Sequence, residues 1–340
     1  MSSKVAVVIL NYNGKKYLEH FLPSVVQNTS EGSIVIADNA STDGSVAFVE
    51  ENYPTLQVIR MPQNTGFSTG YNTVLRQVDA DYYVLLNSDV EVTPHWLVPM
   101  VKLMDSQPNI AACQPKIKSF HHKDTFEHAG AGGGYVDMLG FPFCRGRVFD
   151  HVEKDVGQYD DTKEVFWASG ACMVVRADLY HHFGGLDDDF FAHMEEIDLC
   201  WRLKNAGYQI FYCGQSEVYH VGGGTLGYKN PRKLYLNFRN SLVMLVKNLP
   251  THLVFPIVFM RMILDGLAGL HFLSKGSFSG FKVVLQSHFY LYRYLFNILK
   301  KRKKARHFAG TDKHKELYEG SIVWQYFIRK KKIFGEILNF

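Results

Sequence analysis

Four short apolar runs, each closing on polar residues and separated by helical patterns, constrain this chain more than any other feature of it. Val5–Leu10, Ser33–Asp38, Gln57–Arg60 and Asp81–Asn87 read as strands, with helices expected over 15–27, 43–52 and 68–78. Strands alternating with helices predict an α/β domain built on a mostly parallel sheet covered on both faces. Ligands bind such sheets beyond the carboxyl ends of the strands. Asn11, Tyr12 and Asn13 stand at one of these ends, Asp38 and Asn39 at another, and Asn87, Ser88 and Asp89 at a third.

Composition narrows the class. At 340 residues the chain exceeds one minimal domain, and 46% apolar with 21% charged residues excludes extensive disorder. Five scattered cysteines with no CxxC spacing argue against a disulfide framework or a zinc knuckle and for a reducing compartment. The run after Lys4 is too short for the apolar core of a signal peptide. Of 37 basic and 33 acidic residues, 12 and 4 fall within 300–340, leaving 25 and 29 elsewhere. The tail therefore carries +8 and the rest −4, a distribution unlike that of a nucleic-acid binder.

The middle of the chain, 106–235, is rich in glycine and aromatic residues. Val165–Arg176 reads as one strand bent at Gly170, and a helix with an acidic first turn begins near Glu195 and ends at Gly207. Residues 248–260 carry no charge, but thirteen fall short of the ~20 that a spanning helix needs. The aromatic stretch 278–299 runs into Lys300-Lys-Arg-Lys-Lys304. This pattern fits helices lying on an anionic membrane face, where each basic residue contributes ~1 kcal/mol. The plainer alternative is a core helix followed by a solvated charge run.

Several residues can carry chemistry, each with an ordinary structural alternative. Asp38 opens Asp-Asn-Ala-Ser-Thr-Asp-Gly, which serves either as turn and cap chemistry or as an acceptor for a base or ribose. No GxGxxG and no GxxxxGK[ST] is present, which removes the main support for a dinucleotide fold or a P-loop. Asp89 can hold a divalent ion that bridges a diphosphate, or can be a turn residue before a helix capped by Thr93 and opened by Pro94. Glu195, Glu196 and Asp198 complement a helix dipole, with Asp198 and Arg202 spaced as an i, i+4 pair. Following the apolar Phe190-Phe191, either glutamate can also sit in a pocket that raises its pKa toward that of a general base. His220, before the run Gly222–Gly224, is a structural histidine or a ligand to metal or phosphate.

In this order, Val7-Val-Ile-Leu-Asn-Tyr-Asn-Gly14, Ile36-Ala-Asp-Asn-Ala-Ser-Thr-Asp-Gly-Ser45, Asn64-Thr-Gly-Phe-Ser-Thr-Gly-Tyr-Asn72, Leu85-Leu-Asn-Ser-Asp-Val90 and Glu195-Glu-Ile-Asp-Leu-Cys-Trp-Arg202 resemble the inverting family 2 glycosyltransferases. The nearest resemblance is to the rhamnosyltransferase-like branch of bacterial surface polysaccharide synthesis, and it covers about residues 4–240. It implies a GT-A fold with a nucleotide-sugar-binding half (1–105), an acceptor-binding, catalytic half (106–240), an apolar-aromatic helical region (241–299) and a basic tail (300–340). On the family's pattern, Tyr12 and Asp38 would hold the nucleoside, with Asn13, Asn64, Gly66, Asn72 and Asn87 around that pocket. Asp89 and His220 would hold Mg²⁺ or Mn²⁺, and Trp167, Gly170 and Ala171 would shape the sugar and acceptor pockets. Glu196 would be the base, with Glu195 as its alternative. Two departures stand out: Asn87 replaces the first Asp of the family's Asp-x-Asp, and Glu196 replaces its usual Asp base.

The resemblance implies transfer of a sugar from a nucleotide-diphosphate donor to a lipid-linked or growing saccharide. The enzyme would be cytoplasmic, peripheral on the inner face of the membrane, and without a nucleic-acid partner. A non-catalytic scaffold that binds nucleotide sugar or glycan is the alternative from another class. A sugar-nucleotide pyrophosphorylase is a third, for which Asn13-Gly-Lys15 would be the thin phosphate-handling motif.

Overall fold

The computed structural model describes residues 3–222 and 230–338. Its first half alternates β1 (Val5–Asn11), α1 (Lys15–Asn28), β2 (Gly32–Asp38), α2 (Ser45–Asn52), β3 (Gln57–Arg60), α3 (Gly66–Leu75) and β4 (Tyr82–Asn87). There follow β5 (Val90–Val92), α4 (Val98–Ser106), β6 (Ile110–Ser119), β7 (Gly134–Asp137), β8 (Pro142–Cys144), β9 (Arg147–Val148), β10 (His151–Val152), β11 (Thr162–Val165) and β12 (Cys172–Arg176). The remainder comprises α5 (Ala177–His182), α6 (Glu195–Asn205), β13 (Gln209–His220), α7 (Pro231–Asn248), α8 (Thr251–Ser274), α9 (Phe278–Arg293), α10 (Leu295–His307), β14 (Leu317–Tyr318) and α11 (Phe334–Ile337).

The main sheet runs β11-β13-β6-β12-β4-β1-β2-β3, with β5 paired to β13. Strands β1 to β4 are mutually parallel, as the alternation predicts, while β12 enters antiparallel between β4 and β6. Period-2 geometry divides β1 between two cores. Val5, Val7 and Ile9 pack with Leu18 and Leu22 of α1 and Met100 of α4 on one face. Ala6 and Val8 join Tyr71 and Val74 of α3 on the other. The register sets Asn11 beside Asp38, and Leu10 beside Asn87, so the polar strand ends converge on one edge.

Two local expectations are corrected. Val165–Arg176 is not one bent strand: β11 ends at Val165 and β12 starts at Cys172, because Trp167 leaves the main sheet to bridge Gly134. No helix opens at Pro94; α4 begins at Val98 with Pro99 in its first turn.

Buried charge ties α6 to α7. Asp198 of α6 accepts from Arg202 at 2.9 Å, Lys247 of α7 at 2.9 Å and Asn248 at 2.8 Å. The helix α8 is longer than the uncharged run suggested, and by length and composition it could cross a membrane. Its two charges, Arg261 and Asp265, are buried and paired at 2.9 Å, and Arg261 also donates to the carbonyls of Leu139 and Gly140. One face of α8 is thus committed to the protein, while Phe255, Phe259, Ile263, Leu267 and Leu270 stand exposed on its others. Within 300–340, Ile322 and Phe334 are buried, Lys204 pairs with Glu316 at 2.9 Å, and β14 pairs in parallel with β7.

Candidate active site

The converging strand ends form a polar cradle. Asp38 is buried at the end of β2, where its carboxylate accepts from the Asn11 amide at 3.2 Å and from the Ser41 backbone N–H at 3.1 Å. Asn11 also donates to the hydroxyls of Ser41 and Ser45. Asn13 turns the chain with φ 50° and accepts from the Thr42 N–H at 2.8 Å, leaving Tyr12 exposed at the mouth. Asn39 donates to Asn64 at 3.1 Å and to the Gly66 carbonyl at 3.0 Å, and Asn64 in turn accepts from the Gly66 N–H. Gly66 has φ 82°, and a Cβ there would lie 2.5 Å from the Phe191 ring, so only glycine fits. Tyr12, Asn13, Asp38, Asn64 and Gly66 therefore share one edge of the fold.

Asn72 does not join them. Its side chain accepts from the Tyr180 hydroxyl and the Leu186 N–H and donates to the Leu186 carbonyl and Asp188. Those bonds occupy its hydrogen-bonding capacity and tie α3 to the loop ahead of α6. Trp167 is likewise a packing residue, its indole N–H given to the Tyr135 carbonyl at 2.9 Å and its ring filling the space beside Gly134. Ala171 is buried and contributes its carbonyl to the Asn87 N–H at 3.0 Å. Gly170 does face the candidate site: a Cβ there would stand 3.3 Å from Phe67 and 3.8 Å from Glu196.

At the end of β4, Asp89 lies 3.1 Å from His220 Nε2, and Asn87 is 3.4 Å from the same nitrogen. The antiparallel pairing of β5 with β13 sets this contact by placing Val90 opposite His220. Gly223 and Gly224 of the glycine run lie outside the described residues. Sequence reading overlooked Glu127. Buried between β6 and β7, its carboxylate stands 3.3 Å from His220 Nδ1 without hydrogen-bond alignment. Nothing in the local sequence marks it, since the partnership spans 93 positions. Burial opposes a charge on His220, but Asp89 and Glu127 on its two nitrogens outweigh that and push its pKa up to about 10. Burial likewise works against the Glu127 carboxylate, and His220 overrides it to about 2.

Asp89 supplies a carboxylate oxygen suited to a divalent ion, and His220 adds a nitrogen once it releases the proton it holds against Asp89 and Glu127. Among the described residues no group of three His, Cys, Asp or Glu side chains is arranged to hold a metal ion. The remaining ligands of such an ion would be substrate oxygens and water.

The glutamate pair opens α6 after a strained approach, with φ of 64°, 71° and 72° at Phe191, His193 and Met194. Asn240 of α7 holds that approach by donating to the carbonyls of Phe190, Ala192 and His193. Each glutamate keeps one buried carboxylate oxygen with no hydrogen-bond partner in the protein. Burial, reinforced by the neighbouring Glu196 charge, pushes the Glu195 pKa well up. Burial also raises Glu196, although backbone N–H groups, Gly170's among them, lean the other way. Unpartnered buried carboxyls with raised pKa values beside a strained loop are what a proton-transfer site looks like.

Comparison with known proteins agrees with this geometry. The family model described as glycosyl transferase family 2 matches residues 6–184. An N-acetylglucosaminyl-diphospho-decaprenol L-rhamnosyltransferase of Mycobacterium tuberculosis is 26% identical over 72% of this chain and 85% of its own. Rhamnosyltransferase WbbL of Escherichia coli is 23% identical over 64% of this chain and 83% of its own. Among solved structures, the mannosyltransferase PcManGT of Pyrobaculum calidifontis, in complex with GDP-Man and Mn²⁺, superposes with a TM-score of 0.53 at 14% identity, covering 92% of this chain and 89% of that one. GalNAc-T7 with UDP, GalNAc and Mn²⁺ gives a TM-score of 0.55 at 14% identity over 72% of this chain, which spans about half (48%) of that one. The fold is GT-A, and the chain belongs to glycosyl transferase family 2, on its rhamnosyltransferase-like branch.

Proposed function

We propose that this glycosyltransferase moves a sugar, L-rhamnose by analogy with its curated relatives, from a nucleotide-diphosphate donor onto a hydroxyl of a lipid-linked or growing saccharide, inverting the anomeric configuration. The observation that carries the reading is the Glu195–Glu196 pair, each with a buried unpartnered oxygen, reached by a loop whose Phe191 packs against Gly66 of the nucleotide cradle. Tyr12, Asn13, Asp38, Asn64, Gly66 and Asn87 surround the nucleotide. Glu196 takes the proton of the acceptor hydroxyl as that oxygen bonds to the anomeric carbon and the bond to the diphosphate breaks. Gly170, small and next to Glu196, leaves room for the sugar. Asp89 and His220 would hold Mn²⁺ or Mg²⁺, which when bound would neutralise charge developing on the departing diphosphate. The mixed oxygen and nitrogen donors favour Mn²⁺.

We assign the enzyme to the cytoplasmic face of the membrane. The exposed apolar residues of α8 and α9 together with the exposed Lys300, Lys303 and Lys304 support peripheral attachment, and the burial of one face of α8 argues for lying on the bilayer rather than spanning it. Replacing Glu196 by Gln tests the assignment of the base. Turnover with a nucleotide-sugar panel and a lipid-linked acceptor is expected to fall by ~10²-fold or more, while nucleotide still raises the melting temperature. Full turnover in Glu196→Gln combined with loss in Glu195→Gln would transfer the role to Glu195.

A further inference from the structure

A groove of about 570 Å³ runs between α7 and α9, outside the candidate active site. Its apolar wall is Leu285, Phe289, Tyr235, Tyr290 and Tyr294, and its polar groups are Lys282, Arg293 and Gln286; no carboxylate lines it. On α9 the positions 282, 285, 286, 289, 290 and 293 follow helical spacing, so one face of the helix presents them all. Lys282 and Arg293 bracket that face, three turns or ~16 Å apart. Both are exposed, as are Leu285 and Phe289.

The groove adjoins the catalytic loop. Arg239 lies 5.0 Å from the Tyr290 ring and 5.5 Å from that of Tyr235, and the same guanidinium donates to the carbonyls of Asp189 and Phe190. One turn before Tyr235, Arg232 sits 4.2 Å over Phe191, the ring that closes against Gly66. A ligand in the groove is therefore separated by the single helix α7 from the approach to Glu195 and Glu196.

We infer that this groove seats the lipid of the acceptor as an isoprenoid diphosphate, with its phosphates at the Arg293 end and its chain running along Phe289 and Leu285 toward Lys282. Three features select that ligand. Two cations with no acid among the lining residues call for an anion. The long aliphatic and aromatic wall calls for an apolar chain attached to it. The exposed apolar surfaces of α8 and α9 offer the rest of such a chain a route into the bilayer. The inference rests on the glycosyltransferase reading with a lipid-linked acceptor and adds where the lipid is held.

The test uses the full-length chain and farnesyl diphosphate as a soluble probe, titrated calorimetrically in EDTA so that the donor site does not compete through metal. The wild type is expected to bind farnesyl diphosphate at least tenfold more tightly than either inorganic pyrophosphate or farnesol. Lys282→Gln with Arg293→Gln should weaken it tenfold or more, as should Leu285→Ser with Phe289→Ser, with melting temperatures unchanged. Equal binding of pyrophosphate, or unaltered binding by both double variants, overturns the inference. So does loss of anionic vesicle binding in the charge variant with farnesyl diphosphate affinity intact, since the cations would then read lipid headgroups. A wild type that binds farnesyl diphosphate but no nucleoside diphosphate with Mn²⁺ would instead fault the donor-site reading and leave the groove standing.

Discussion

Replacing Glu127 by Gln is the sharpest probe of the metal reading, because it leaves both expected ligands in place. His220 is gripped from two sides, by Asp89 at 3.1 Å on Nε2 and by Glu127 at 3.3 Å on Nδ1. A carboxylate behind a ligating imidazole fixes the ring and raises its basicity, and its loss typically weakens metal binding 10- to 100-fold, or ~1.4–2.7 kcal/mol. Glutamine preserves the volume and removes the charge. Titration of Mn²⁺ by electron paramagnetic resonance, with a saturating nucleoside diphosphate, should show that weakening, and Glu127→Asp should recover part of it. An affinity within twofold of the wild type would refute the reasoning, because Glu127 would then be a buried structural acid and nothing more. Stability against pH gives an independent check. A histidine raised from 6.5 to about 10 contributes stability that is complete below 6.5 and lost as pH climbs toward 10. A glutamate lowered from 4.5 to about 2 contributes stability that is present above 4.5 and lost as pH falls toward 2. The metal-free wild type should show both limbs in urea melts, and Glu127→Gln should lose the acid limb and move the alkaline one toward neutrality.

Three further outcomes are expected. Asp198→Asn leaves Lys247 and Arg202 facing a neutral group in a buried network and should cost ~3–5 kcal/mol in urea denaturation. Gly66→Ala places a methyl group 2.5 Å from the Phe191 ring at φ 82°, so nucleotide-dependent thermal stabilisation should largely disappear. Because Glu195 and Glu196 are both raised above the ordinary glutamate pKa of 4.5, kcat/KM should fall on acidification through a midpoint above that value, and a midpoint at or below 4.5 would count against a buried base.

The first half of the fold was legible because its signals are local. A buried parallel strand is a short apolar run, and the carboxyl-end rule then places Asn11, Asp38 and Asn87 on one edge before any coordinate is known. What escaped the sequence depends on distance along the chain. Asn72 lies in a motif that reads as pocket lining, yet its amide holds Leu186 and Asp188, more than a hundred positions away. Trp167 is set by its bridge to Gly134 of β7 and Glu127 by its backbone bond to Ile117 of β6, and no periodicity announces either. The charges of α8 misled for the same reason. Arg261 and Asp265 look like interruptions of an apolar segment but neutralise each other against Leu139 and Gly140, so the outward face stays apolar.

The catalytic loop is where these long-range ties converge, and that bears on how the enzyme can work. Positive φ at Phe191, His193 and Met194 costs ~1–3 kcal/mol each and persists only if the surroundings impose it. The surroundings here are the C-terminal helices. Asn240 takes three loop carbonyls, Arg239 takes two, and Lys301 of α10 pairs with Asp189 at 2.6 Å while Lys247 pairs with Asp187 at 2.5 Å. The helices α8 and α9 that expose apolar surface pack on α7, which with Lys301 of α10 holds the loop leading to Glu195 and Glu196. The strained loop and the exposed apolar surface therefore depend on one bundle of C-terminal helices, so a chain cut before α7 should lose the loop geometry as well as the surface. At its Asp38 end the cradle closes locally on Asn11, Ser41 and Ser45 within the first 45 residues, whereas its Gly66 end leans on Phe191 of that same loop.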